Sequence, residues 1–154
     1  MLESTVCYIR DNGRVLLQLK AEGRWGGGWW NGPGGKLHGG EAPAAGAARE
    51  VLEESGLTVS NLFEHGTLDF MFGDEPVPSL RVHVFSTRKH SGEISPNEEG
   101  TIEWLREDTL PYDQMWPDDR VWLPHMLAGR RFHGVFRLSA DHKTLLEHEL
   151  TLLP

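Results

Sequence analysis

Three glutamates, Glu50, Glu53 and Glu54, stand close together in the chain. On a helix of 3.6 residues per turn they fall at i, i+3 and i+4, so three carboxylates share one face within a single turn. Like charges at that spacing repel by about a few tenths of a kcal/mol per pair, and near a helix C-terminus they also oppose the helix dipole. A hard divalent cation offsets this. Mg2+ takes oxygen ligands, keeps part of its water shell and bridges carboxylates to phosphate oxygens. Arg49, beside the cluster, is placed to pair with Glu41 or Glu53, because a planar guanidinium grips a carboxylate in a two-pronged fork. A solvated acidic face is the plainer reading of an isolated E-x-x-E-E triplet, and only its flanks can decide between the two.

Such a cluster needs a helix beneath it and a loop in front. Pro43 to Ser55 is rich in Ala, Glu, Arg and Leu, with Pro43 suited to the first helical position and Gly56 to the residue just past the end. Gly46 inside this helix suggests close packing against another segment. Nine of the 18 glycines fall between Gly23 and Gly40, so that stretch reads as loop whose backbone can approach a ligand. Ahead of it, Ser4 to Arg10 and Arg14 to Leu19 flank Asp11, Asn12 and Gly13 and read as a β-hairpin. Behind the helix, Leu62 to Phe72, Leu80 to Thr87 and Thr101 to Leu105 read as strands. A second helix is expected near Pro124 to Ala128, followed by closing strands at Phe132 to Leu138 and Lys143 to Leu150.

The 154 residues suffice for one domain, residues 1 to 154, with a core of its own and no disulfide staple. Fifteen basic against 23 acidic residues give a net charge of −8, which repels a nucleic acid polymer. A small polyphosphate remains compatible, since divalent cations reverse the local sign. Cys7, the single cysteine, lies in an apolar run and reads as a small buried hydrophobe. Glu3, Arg10, Asp11 and Arg14 break up the first 19 residues, which argues against a signal-peptide core, a membrane span or a membrane partner, and for a cytoplasmic protein. A Walker loop is excluded, because Trp30 and Leu37 stand where it requires a glycine and a Ser or Thr.

The flanks of the acidic triplet complete a pattern. Gly35, Glu41, Arg49, Glu50, Val51, Glu53, Glu54, Gly56 and Leu57 match G-x5-E-x7-R-E-U-x-E-E-x-G-U, with U aliphatic, at every specified position. This is the box of the Nudix hydrolases, and the chain is identified as a member of that family. The resemblance implies an α/β fold, a mixed sheet sandwiched between helices. It implies Mg2+ as cofactor, with Mn2+ as the substitute. Glu50 and Glu54 are the implied metal ligands together with the Gly34 carbonyl. Glu53 is a further ligand or the water-activating base, a choice left open among the box carboxylates. Glu99, in Pro96-Asn97-Glu98-Glu99, holds the place of an acidic ligand outside the box, with Glu98 as its rival. Glu53, Glu50 and Arg49 are the implied catalytic set.

Beyond the box, Arg14-Val15-Leu16-Leu17, Trp30-Asn31-Gly32, Val82-His83-Val84-Phe85, Met115-Trp116-Pro117-Asp118-Asp119 and Arg131-Phe132-His133-Gly134 resemble the vertebrate-type MutT branch, which hydrolyses oxidised purine nucleoside triphosphates. In that branch the matching positions imply that Asn31, Asp118 and Asp119 read the base edge while Trp116 and Phe70 wall the pocket. Lys20 and Trp25 line it. Stacking on an aromatic face serves any purine, so the polar residues must discriminate. Adjacent buried carboxyls can share a proton, one donating while the other accepts. Pro33 departs from the branch and matches the bacterial MutT type instead. The implied reaction converts an 8-oxo-dGTP-like triphosphate to the monophosphate and pyrophosphate, in a monomer or dimer. The alternatives are another nucleoside triphosphate, a nucleoside diphosphate linked to a different group, or a nucleotide sensor without turnover.

Overall fold

The computed structural model describes residues 1–95 and 100–154; Glu98 and Glu99 lie outside them. In chain order the elements are β1 (Leu2–Asp11), β2 (Arg14–Lys20), β3 (Trp30–Asn31), β4 (Gly34–Lys36), α1 (Pro43–Ser55), β5 (Thr58–Ser60), β6 (Phe63–Phe72), β7 (Leu80–Thr87), β8 (Lys89–Ser91), β9 (Gly100–Arg106), α2 (Asp119–Leu127), β10 (Arg131–Leu138) and β11 (Leu145–Leu153). The strands run in the order β11-β10-β6-β7-β1-β2-β3, with β4 added to β1 and β9 to β2. β1 is parallel to β7 and β10 to β6, while the other pairs are antiparallel, so the sheet is mixed.

β1 organises the molecule because it serves two partners along one edge. Its first half pairs with β4 (Val6 opposite Gly34), and its end turns into β2 through Asn12 and Gly13, both at positive φ as a tight hairpin requires. Its side chains alternate between faces. Val6 and Tyr8 enter a core with Leu68, Val84, Phe132, Phe136 and the α2 residues Trp122 and Leu123; Cys7 and Ile9 enter another with Leu16, Phe85 and the α1 residues Ala47 and Val51. A strand buried on both faces reads as a continuous apolar run, which is what Val6 to Ile9 is. The helices therefore lie on opposite faces, giving the α/β sandwich. Burial pushes the Cys7 thiol up to about 12, so it is an inert core residue.

α1 begins at Pro43 and ends where Gly56, at φ 82°, turns its N–H back onto Leu52 O at 2.9 Å. A Cβ at Gly46 would collide with the Leu37 side chain, which lets the loop after β4 lie against the helix. Several elements differ from the sequence reading. The second helix starts at Asp119 rather than near Pro124, which sits inside it. Buried Trp122, Leu123 and Met126 hold that turn despite the N–H that proline lacks. The glycine-rich stretch contributes the short β3 and β4, and β5 pairs with β8 in a separate two-stranded sheet too short to show in the sequence pattern. β11 runs on to Leu153. Among the described residues no helix is long and apolar enough to cross a membrane.

Candidate active site

α1 presents its carboxylates to the loop before it, and Arg49 is the hub. Its Nε and Nη2 donate to the two oxygens of Glu41 at 2.7 and 3.0 Å, its Nη1 to Glu50 at 2.9 Å and to Glu53 at 3.2 Å, and its Nη2 also to Lys36 O at 3.1 Å. Arg49 thus takes Glu41, Glu50 and Glu53 together. The guanidinium, with the His38 N–H, holds the Glu41 carboxyl down at about 2. Glu54 is the buried member. It accepts from the Gly34 N–H and from Lys20 Nζ, each at 2.9 Å, and burial nevertheless pushes its carboxyl up to about 7. Glu50 lies against Gly35, where a Cβ would stand 2.7 Å from its carboxylate, so only glycine admits it. Glu53 is the most open, its side chain 55% exposed.

The donors are all oxygen, as a hard cation requires, and a buried carboxylate such as Glu54 is stable as an anion only with positive charge beside it. The set fits a divalent ion chemically. Among the described residues, though, no three of these groups converge tightly enough to enclose one, because Arg49 draws Glu50 and Glu53 aside while Lys20 draws Glu54.

Beyond Gly34 opens a cavity of about 750 Å3, lined by Lys20, Trp25, Asn31, Phe70, Trp116, Asp118 and Asp119. Residues from five separate segments are gathered here. Trp116 is buried and packs against Trp25 and Trp29, with ring centroids 4.9 and 5.6 Å away. The Asn31 oxygen accepts from the Tyr8 hydroxyl at 3.1 Å and the Gly32 N–H at 2.9 Å, so what Asn31 has left to offer is its NH2. Asp118 and Asp119 are 1% and 2% exposed. The Trp122 indole donates to Asp118 Oδ2 at 2.7 Å, while Asp118 Oδ1 and Asp119 Oδ2 have no partner among the described residues. Burial raises both carboxyls, Asp118 to about 6 and Asp119 further because the Asp118 charge adds to it. The indole N–H favours charge on Asp118, so a proton held by the pair resides on Asp119.

Three residues here escaped sequence reasoning. Tyr8 and Trp122 are core aromatics, but their polar tips orient Asn31 and Asp118; a buried Tyr or Trp needing a partner for its O–H or N–H was the available signal. His142, in the β10–β11 turn, sets its ring edge-on to Trp25 and at a tilt to Trp116, and carried no sequence signal at all.

A sheet between two helices, with an acidic helix fronted by glycines and a nucleotide-sized pocket beside it, defines a polyphosphate hydrolase site. The family profile of the NUDIX domain matches residues 2–126, and the chain belongs to the Nudix hydrolases. It is 41% identical to an oxidized purine nucleoside triphosphate hydrolase of Danio rerio over 146 residues, 95% of this chain and 92% of that one. The protein of the same name from Mus musculus is 39% identical over the same shares. The crystal structure of a MutT protein from Bacillus halodurans superposes with a TM-score of 0.87 at 30% identity, covering 97% of each chain.

Proposed function

We propose that this hydrolase cleaves oxidised purine nucleoside triphosphates of the 8-oxo-dGTP type to the monophosphate and pyrophosphate, clearing damaged nucleotides from a cytoplasmic pool. The observation that carries the reading is the paired, buried Asp118 and Asp119 in an aromatic-walled pocket that opens beside the acidic helix. One carboxyl that donates and one that accepts suit a purine edge bearing a carbonyl next to N–H groups, and the Asn31 NH2 adds a donor for a second carbonyl. Trp116 and Phe70 supply the faces, with Trp25 and Lys20 at the lining. The relatives from Danio rerio and Mus musculus, which each share 95% of this chain, carry the corresponding activity in their names.

Residues Glu50, Glu53 and Glu54, with Gly34 and Glu99, would hold Mg2+, or Mn2+ in its place. The chemistry Mg2+ supplies when bound is neutralisation of phosphate charge and acidification of water. The chain supplies the rest. Arg49 fixes the orientation of Glu50 and Glu53, and Glu53, the exposed one, takes the proton from the attacking water, with Glu50 as the other base within the set. Lys20 holds Glu54 in place between helix and pocket. No covalent intermediate is needed, and neither a nucleic acid polymer nor a membrane takes part. Initial rates on 8-oxo-dGTP, dGTP and a nucleotide-sugar panel, with Mg2+ present, test the assignment. Faster turnover of 8-oxo-dGTP is the expected result, and equal or faster turnover of dGTP overturns it.

A further inference from the structure

The turn between β10 and β11 sets His142 against three aromatic residues that line the base pocket. Its backbone has φ 67°, in the left-handed region that a residue with a side chain adopts only at a free-energy cost. The turn is held by its own hydrogen bonds. The His142 N–H donates to Ser139 O at 2.8 Å, Ser139 Oγ and the Lys143 N–H both donate to Asp141 Oδ1, at 2.6 and 3.1 Å, and the Thr144 N–H donates to Ser139 Oγ at 3.0 Å. Glycine or asparagine would take this conformation more easily, so what histidine adds is its ring.

That ring meets three others, each from a different segment. Its centroid lies 4.6 Å from Phe72 at the end of β6, 5.4 Å from Trp116 before α2, and 5.7 Å from Trp25 in the loop after β2. Phe72, Trp116 and Trp25 all line the cavity. Trp25 is 63% exposed on a glycine-rich loop, so its ring contacts with Trp116 and His142 are what restrain it. A stacking surface discriminates well only when its own rotamers are locked from behind.

We propose that His142 is a positioning residue of the nucleotide site, holding the Trp25 and Trp116 rings in the arrangement onto which a purine packs. It sets affinity for the base and leaves the phosphate chemistry untouched. The inference rests on the reading above that a purine enters this pocket. Ring pairs of this kind shift an equilibrium by roughly two- to tenfold.

The test is steady-state kinetics of the full chain with Mg2+ on 8-oxo-dGTP, for wild type, His142→Asn and His142→Phe, with thermal unfolding of each. Asparagine tolerates the left-handed backbone and lacks a ring, so His142→Asn should keep its melting temperature and kcat while KM rises about three- to tenfold. Its tryptophan emission without nucleotide should shift to longer wavelength as Trp25 and Trp116 lose their backing. His142→Phe restores the ring and should return KM to near the wild-type value. An unchanged KM in His142→Asn, a loss confined to kcat, or a His142→Phe no better than His142→Asn overturns the proposal. Should wild type turn over dGTP as fast as 8-oxo-dGTP, the substrate reading falls. The KM ratio of His142→Asn to wild type is then taken on dGTP, where a ratio of one overturns the inference and a raised ratio upholds it.

Discussion

At the rim of α1, Glu41, Glu50 and Glu53 converge on one guanidinium in partly open surroundings, and Glu41 is held ionised far below the usual carboxylate range. At the base pocket, Asp118 and Asp119 sit side by side behind tryptophan, with an indole as donor and their carboxyls raised by burial. The same functional group is thus used in two protonation states a short distance apart. Phosphate chemistry needs anions that will hold a cation, and the chain provides them with a built-in counter-charge. Base recognition needs a proton at a fixed place, and the chain secures one by excluding water.

The largest expected effect separates the two sites by rate constant. Removing the charge of Glu54 by Glu54→Gln should lower kcat by about 10²–10⁴-fold, the range for loss of a group acting at the reacting centre. Steady-state rates at saturating 8-oxo-dGTP and Mg2+ measure it, and an unchanged kcat would remove the acidic helix from the chemistry. At the pocket the loss should appear in KM instead. Asp119→Ala deletes the protonated carboxyl and should raise KM for 8-oxo-dGTP by roughly 10- to 100-fold, the worth of a buried hydrogen bond with its desolvation, at nearly constant kcat. A kcat defect in that variant would erase the distinction between the sites. Arg49→Lys should act more mildly, lowering kcat about tenfold, because a point charge cannot fork across Glu41 while still reaching Glu50. Its melting temperature in the absence of nucleotide should fall only slightly, since lysine keeps a positive charge beside Glu41 while losing the fork.

How far each site could be read from the chain follows from the range of its contacts. The acidic helix is local: Pro43, the i, i+3, i+4 carboxylates and Gly56 fall within fifteen residues of sequence, and the helix stands where its caps put it. The pocket joins Asn31, Phe70 and the Trp116 to Asp119 segment through long-range contacts such as the parallel β1–β7 pairing and the Trp30–Met115 bridge. Nothing in spacing or propensity announces those pairings, so these residues came from family likeness rather than physics. The second helix, expected near Pro124 to Ala128, begins five residues earlier at Asp119, because burial of Trp122 and Met126 outweighs the hydrogen bond that Pro124 cannot make. β5 and β8, three residues each, are too short for any period to register. The left-handed turn at His142 needed the β10–β11 register, which ends in an irregularity at Arg137 and Leu138.

The smallest expected effect is a difference of slope in stability against pH. Asp118 titrates at about 6 in the folded chain against 3.8 for a free aspartate, so between those values the native state binds more protons than the unfolded one. Stability from the pocket is therefore complete below about pH 4 and declines as pH rises through about 6, and the still higher Asp119 extends the decline upward. Glu41 has the opposite sign. Its folded value of about 2 against 4.5 means that its contribution is present above about pH 4.5 and vanishes as pH falls through about 2. The rim should weaken in acid and the pocket in base, with the two windows meeting near pH 4. Urea unfolding across this range should show the double variant Asp118→Asn, Asp119→Asn with a shallower neutral-side decline, the remainder belonging to Glu54, whose carboxyl burial also raises to about 7, and with the acid limb kept, while Glu41→Gln should make the acid limb alone less steep. Parallel curves for wild type and the double variant above pH 4 would mean that the pocket carboxyls are ionised in the folded protein, and the contrast between the two sites would fail.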